Sequence, residues 1–287
     1  YKDLTIISMS PPSSGGVTLA QMFGMLKQES FDSLSGWNTP AIHASVEVAR
    51  RAYADRNYYL GDPDFVAIDI QSLTNPQYLT SRMNSFDFNR ATPSAQVSQG
   101  QPQTLESNET THYSIVDAQG NAVAVTTTLN GAYGSKLFSD DLGMFFNNEM
   151  DDFSAKAGVP NMFGLIGAAA NEIAPGKRML SSMTPTIVER DGQLWAVVGT
   201  PGGSTIISAV FQTILSLREF GMGMQEAVNA PRFHHQWLPD VLVMEPNRFS
   251  ESLINSLIDM GHQVNQQQSR IIGKVDAILV LKDGTLE

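Results

Sequence analysis

The stretch Glu109-Thr110-Thr111-His112-Tyr113-Ser114 decides the reading of this chain, because the sequence changes character across it. Upstream, residues 84–109 are rich in Ser, Gln, Asn, Pro and Thr and poor in large apolar side chains, which predicts a mobile loop. Downstream, residues 112–117 and 122–129 predict two strands joined by the turn Asp117-Ala118-Gln119-Gly120-Asn121. A threonine where a flexible loop meets a strand has a chemical option. If the backbone were cut before Thr110, one residue would carry both a hydroxyl and a free α-amine. An α-amine has a pKa of about 7.7–8.0, so it is partly neutral near pH 7 and serves as a general base without deep burial. The same threonines are also ordinary strand formers, and this stretch alone does not choose between the two readings.

Working outward, residues 4–9 form a short apolar strand candidate, followed by the turn cluster Pro11-Pro12-Ser13-Ser14-Gly15-Gly16. Helical spacing marks 17–27, through Leu19, Met22, Phe23 and Leu26, and 40–59, through Ile42, Val46, Ala49 and Tyr53. Residues 184–190 and 194–199 predict a second hairpin around Asp191-Gly192. Thr200-Pro201-Gly202-Gly203-Ser204 then leads into a helix bearing Ile206, Ile207, Val210, Phe211, Ile214 and Leu217. Ser250 caps a further helix that ends near Gly261. Residues 277–281 predict a last strand, and a returning strand is expected after the Asp283-Gly284 turn, where the sequence ends. Hairpins interleaved with helices that follow glycine-rich turns predict sheets covered by helices.

Composition narrows the chemistry. The 287 residues carry 18 Lys+Arg against 29 Asp+Glu, a net charge of −11 that repels phosphate backbones and argues against nucleic acid as a partner. The chain has no cysteine, which excludes disulfides, thiolate metal sites and a Cys nucleophile together. No apolar run approaches the roughly 18 residues of a transmembrane span. The chain begins Tyr1-Lys2-Asp3 without an initiator Met, as expected of a mature or truncated product that a signal peptide could have preceded.

Three further clusters could carry chemistry. In Thr200-Pro201-Gly202-Gly203-Ser204, consecutive glycines let backbone N–H groups approach a ligand at a helix N-terminus, which suits either an oxyanion hole or a plain strand-to-helix turn. Asn147-Asn148-Glu149-Met150-Asp151-Asp152 is dense enough in carboxylates to hold an ammonium group or a cation, or to be a solvated loop. His234 and His235 would point to opposite faces of a strand and chelate one metal poorly, so they read as structural.

Taken in order, the segments TTHYS (110–114), NAVAVTTTLN (121–130), FNNEMDDFS (146–154), KRMLSSMTP (177–185), GTPGGS (199–204) and NAPRFHHQWLP (229–239) resemble the small subunit of gamma-glutamyltransferases. MSPPSSGG (9–16) and AYADRNYYLGDPDFV (52–66) resemble the end of the large subunit. The resemblance implies an α+β fold, a four-layer αββα sandwich of the N-terminal nucleophile hydrolase type. It implies two parts of one structural domain, 1–109 from the large subunit and 110–287 as the small, catalytic subunit. It also implies self-cleavage between Glu109 and Thr110, giving a heterodimer.

By the same resemblance, Thr110 is the nucleophile for glutathione or another γ-glutamyl compound, and the glutamyl group passes to water, an amino acid or a peptide. Thr128 supports Thr110. Asn130, Glu149 and Asp152 hold the substrate ammonium, Ser181 and Ser182 the α-carboxylate, and Gly202 and Gly203 the oxyanion. These roles need no metal or organic cofactor. The resemblance further places the protein in the periplasm or outside the cell. Three departures from the family pattern stand out. The family arginine that pairs with the α-carboxylate precedes the aligned region, the family chain continues beyond Glu287, and Phe163 stands in the lid-like loop where some bacterial members have Tyr. Because the sequence runs as one continuous chain across Glu109 and Thr110, where a processed enzyme has two, the chain is expected to be uncleaved or incomplete. A non-catalytic or unprocessed fragment, or a related amide acylase, are the alternatives.

Overall fold

The computed structural model describes residues 1–28, 36–98, 110–154, 168–266 and 271–287. The chain opens with strand β1 (Leu4–Ser8), helix α1 (Gly15–Gln28) and helix α2 (Thr39–Tyr59). Helix α2 starts where the Asn38 side chain accepts from the Ala41 amide and where Pro40, which lacks an N–H, sits in the first turn. Short helices α3 (Ile70–Leu73) and α4 (Pro76–Arg82) follow, each capped by the side chain before it, Asp69 and Asn75. Then come strands β2 (Thr111–Val116), β3 (Ala122–Thr127), β4 (Phe138–Ser139), β5 (Met144–Phe145), β6 (Thr186–Arg190) and β7 (Gln193–Gly199). Helices α5 (Thr205–Arg218) and α6 (Met224–Asn229) precede strands β8 (Phe233–His234) and β9 (Leu242–Met244). Helix α7 (Glu251–Asp259), strand β10 (Val264–Asn265) and strand β11 (Asp276–Leu279) end the order.

The larger sheet runs β1-β6-β7-β11, with every neighbouring pair antiparallel. Its two faces do different work because side chains alternate along each strand. On β7, Ala196 and Val198 join a core with Met22, Phe23 and Leu26 of α1, Val48 and Ala52 of α2, and Ile207, Val210 and Phe211 of α5. Each fully buried Leu, Val or Phe in such a core contributes about 1.5–3 kcal/mol of transfer free energy. On the other face, Gly199 meets the His112 ring of β2, and the β2–β3 hairpin packs over β6, β7 and β11. The alternation on β2 follows: His112 is buried, while Tyr113 and Ile115 point outward.

Most sequence-based elements appear within a residue or two of their expected bounds. Three features differ or were not foreseen. Residues 84–98 are not the start of a mobile loop, because Ala91, Thr92, Ser94 and Val97 are buried. Buried charge and a buried indole supply their partners. Arg51 donates to the hydroxyls of Ser85 and Thr92, Arg50 to that of Ser94, and Trp237 Nε1 to the carbonyls of Ser94 and Val97. The remainder of that expected loop, 99–109, lies outside the described residues. A small sheet β10-β9-β8, packed through Phe233, Leu242 and Met244 on Ile42, Val46 and Leu257, was not anticipated. The expected return after Asp283-Gly284 begins at Leu286, which bridges Val280, while Leu279 and Glu287 exchange backbone hydrogen bonds.

Candidate active site

The register of the β2–β3 hairpin sets the first pair of residues. Thr111 stands opposite Thr127, so Thr110 and Thr128 face each other one step beyond the paired ends. Their hydroxyls lie 3.4 Å apart, loose for a hydrogen bond, and Thr128 Oγ1 accepts the Asn130 amide at 2.8 Å. Alternation puts Thr110 on the same face as His112, toward the larger sheet. That approach is tight. A Cβ on Gly199 would come within 2.1 Å of the His112 ring, which is held between Thr126 Oγ1 at 2.7 Å and Ser114 Oγ at 3.2 Å. Ser114 in turn donates its amide to Asp276 of β11 at 2.9 Å.

The turn between β7 and α5 lines the same pocket as Thr110 through Gly203 and Ser204. Gly202 has φ +138° and Gly203 φ +55°, both in the left-handed half of the map that glycine adopts without penalty. Ser204 is fixed on both sides, its carbonyl accepting from Tyr53 Oη at 2.5 Å and its hydroxyl donating to Gln236 Oε1 at 2.6 Å. His234 supports this turn, with Nδ1 2.7 Å from Ser208 Oγ, and burial lowers its pKa to about 4. His234 therefore reads as structural, and His235, which contacts Asp240 and not the Thr110 pocket, likewise.

Two loops complete the pocket. Asp152 is buried and has a side-chain hydrogen bond with Asn130. Burial pushes its carboxyl up to about 8; the neighbouring Glu149 carboxylate adds to the shift and Arg56 opposes it. Glu149 is itself raised by burial. Asn130 is buried with φ 72° and donates Nδ2 to the Asn148 carbonyl at 3.2 Å. The opposite loop carries Ser181 and Ser182. Buried Asn171 ties the two loops together: Nδ2 donates to the Asp152 carbonyl at 2.8 Å and Oδ1 accepts the Leu180 amide at 2.9 Å. Just upstream, Arg178 grips Asp62 through its backbone amide at 2.8 Å and its guanidinium at 2.5 Å, which holds the Asp62 carboxyl far below the usual carboxylate range.

One pocket is thus lined by Thr110, Thr128, Asn130, Asp152, Ser181, Ser182 and Gly203, with Arg56 among them. Seven of the residues singled out from sequence meet there. Glu149 and Gly202 stand just outside the lining, Glu149 felt through its charge on Asp152. Glu109 and Phe163 lie outside the described residues. Arg56 was missed, and the buried pair Ser13-Ser14, read from sequence as part of a glycine-rich turn, binds the Ser181 loop. A second hollow of about 260 Å³ opens on the other side of Thr110, between Thr127, Leu129, Gly131 and Tyr133. A roomier hollow of about 400 Å³ between β1 and α1 shares no residue with either and is lined mostly by apolar side chains, with Ser8, Ser10, Thr74 and Lys27 among them.

Comparison with known proteins bears on this constellation. A family model described as gamma-glutamyltranspeptidase matches residues 1–287. The chain belongs to the gamma-glutamyltranspeptidase family. A glutathione hydrolase proenzyme of Escherichia coli K12 is 46% identical over 286 residues, covering 100% of this chain and 49% of that protein. A glutathione hydrolase proenzyme of Pseudomonas sp. A14 is 47% identical over 240 residues, 84% of this chain and 42% of that protein. The chain therefore spans about half the length of these curated gamma-glutamyltranspeptidase relatives. Among solved structures, a mutant Helicobacter pylori gamma-glutamyltranspeptidase aligns with TM-score 0.60 and 47% identity over 62% of this chain and 96% of that chain. A cephalosporin acylase from Bacillus halodurans aligns over 100% of this chain and 49% of that one with TM-score 0.81 at 18% identity, a likeness that carries the fold alone. The fold is α+β, of the N-terminal nucleophile hydrolase type. The described residues supply the helices over the larger sheet, that sheet, and the β2–β3 pair of the second sheet.

Proposed function

We propose that this family member transfers or hydrolyses the γ-glutamyl group of glutathione and related amides through Thr110, after self-cleavage between Glu109 and Thr110. The observation that carries the reading is one pocket. In it, Thr110, 3.4 Å from Thr128 through the hydroxyls, shares a lining with Gly203, with the acidic side chain of Asp152, the amide of Asn130, and the two serines Ser181 and Ser182. In the maturation step Thr110 Oγ1 attacks the Glu109 carbonyl carbon. The Glu109–Thr110 C–N bond breaks, its nitrogen takes the hydroxyl proton and becomes the free α-amine, and water resolves the ester to leave the Glu109 carboxylate. In turnover the α-amine takes the hydroxyl proton as Oγ1 attacks the γ-amide, then passes it to the departing amine. Water or an acceptor amine releases the glutamyl group.

The roles follow from charge. Asp152, Asn130 and Glu149 suit the substrate ammonium, Ser181 and Ser182 the α-carboxylate, and the Gly202 and Gly203 amides the oxyanion, where one donor is worth about 2.7–4 kcal/mol. Thr128 orients the nucleophile. The hollow beside Leu129 and Tyr133 suits an acceptor amino acid, a peptide or water. The two products of cleavage stay together as a heterodimer, since β1 lies in one sheet with β6. No described helix is long and apolar enough to cross a membrane, and a periplasmic or secreted location belongs to this proposal.

An Acylase ACY 1 proenzyme from Pseudomonas sp. V22 is 34% identical over 287 residues, which keeps an amide acylase as the second reading. The test compares γ-glutamyl anilide with glutaryl anilide, which lacks the ammonium. The proposal requires preference for the first and loss of both self-cleavage and turnover in Thr110→Ala. Preference for the glutaryl compound favours the acylase, and turnover retained in Thr110→Ala ends the proposal.

A further inference from the structure

We propose that Arg56 is a positioning residue for the carboxylate end of the substrate, acting through Ser182, with Ser14 as its fixed support. The inference rests on the γ-glutamyl reading above. Arg56 sits in the last turn of α2 and is 3% exposed, so its charge must be met by hydrogen bonds at this depth. Its guanidinium spreads over three side chains. Nε donates to Ser14 Oγ, Nη1 to Asn57 Oδ1 and Nη2 to Ser182 Oγ, each at 2.9 Å.

These bonds set the direction of a proton. A hydroxyl has one hydrogen to give, and Arg has none to accept. Ser14 gives its hydrogen to the Ser181 carbonyl at 2.7 Å, so its lone pair faces Arg56 Nε. Ser182 Oγ receives the Nη2 hydrogen, so its own O–H must turn away from the guanidinium. Ser182 lines the Thr110 pocket, and an anion seated there would receive that hydrogen. Ser181 is loaded in the same sense, its Oγ accepting the Met183 amide at 3.0 Å. The loop cannot rotate freely to undo this. Ser14 donates its amide to the Ser181 carbonyl at 2.8 Å, Ser181 donates its amide to the Pro12 carbonyl at 3.1 Å, and Ser13 Oγ donates to the Met183 carbonyl at 2.6 Å. The Ser13-Ser14 turn thus staples the Ser181-Ser182 loop in place. The positive guanidinium behind Ser182 also makes that hydroxyl a stronger donor to an anion.

The experiment uses the full chain and two competitive inhibitors of γ-glutamyl anilide turnover. L-glutamate carries the α-carboxylate, whereas 4-aminobutanoate has the same ammonium and chain without it. Arg56→Lys keeps the charge but cannot make the Nε and Nη2 fork. It is expected to raise the inhibition constant of L-glutamate, and the KM of the anilide, about tenfold, with kcat changed far less. The inhibition constant of 4-aminobutanoate should not move. In a Ser182→Ala background, Arg56→Lys should add no further loss. Ser14→Ala should show the same selective loss, and it covers the case in which Arg56→Lys fails to fold. Equal weakening of both inhibitors, or additive losses with Ser182→Ala, would overturn the inference while leaving a Thr110-dependent γ-glutamyl reaction standing. Absence of any Thr110-dependent turnover in the wild-type chain would remove the parent reading and this inference together.

Discussion

Asp152 offers the most quantitative test of how the pocket takes its ligand. With its pKa pushed up to about 8, the side chain is about nine-tenths protonated near pH 7 in the empty pocket. A substrate ammonium seated about 4 Å away stabilises the ionised form by about 4 kcal/mol at an effective dielectric of about 20. That energy equals about three pKa units, enough to ionise Asp152 near pH 7. Binding L-glutamate should therefore release about 0.9 proton per ligand near pH 7, about half a proton near pH 8 and about a tenth near pH 9. Isothermal titration calorimetry in buffers of different ionisation enthalpy measures this number directly. Asp152→Asn should bind more weakly and release no proton. A wild-type heat independent of buffer near pH 7, or the same proton release from Asp152→Asn, refutes the reasoning.

The same shift has a consequence for stability. Asp152 is raised in the fold, so its favourable contribution is full below the unfolded carboxylate pKa of about 3.9 and is lost as pH rises through about 8. Thermal unfolding of Asp152→Asn should match wild type at low pH and exceed it in mildly alkaline buffer. Gly202→Ala would put a Cβ at 2.5 Å from Thr205 Oγ1 on a backbone with φ +138°, a region close to glycine-only. It should cut kcat about 100- to 1000-fold in an anilide assay, the size expected for a lost oxyanion donor. Gly199→Ala would drive a Cβ into the His112 ring and lift the strand that carries Thr110. Denaturant titration should register a loss of about 1–3 kcal/mol, with activity falling alongside.

The parts legible in the sequence were those whose cause is local. Alternation on β2 and β3 gives their facing register, and the register alone brings Thr110 opposite Thr128. Ser250 caps α7 by accepting the Leu253 amide, as its position before an apolar helical pattern implies. What was not legible depends on partners far away in the chain. Arg56 meets Ser14 across 42 residues and Ser182 across 126, and neither spacing leaves a pattern. Residues 84–98 look like loop by composition. Yet Arg50, Arg51 and Trp237 bring donors to their carbonyls and hydroxyls, so a polar segment can be buried there. The elevated Asp152 pKa is equally non-local, arising from burial of a loop that Asn171 holds to the serine loop.

Intact-mass analysis with N-terminal sequencing of the freshly folded chain examines the nucleophile directly. The expected result is two fragments that co-purify, one beginning at Thr110, with a γ-glutamyl adduct trapped on that residue during turnover. A chain that stays whole while hydrolysing the anilide, or an adduct on any other residue, contradicts the assignment of Thr110.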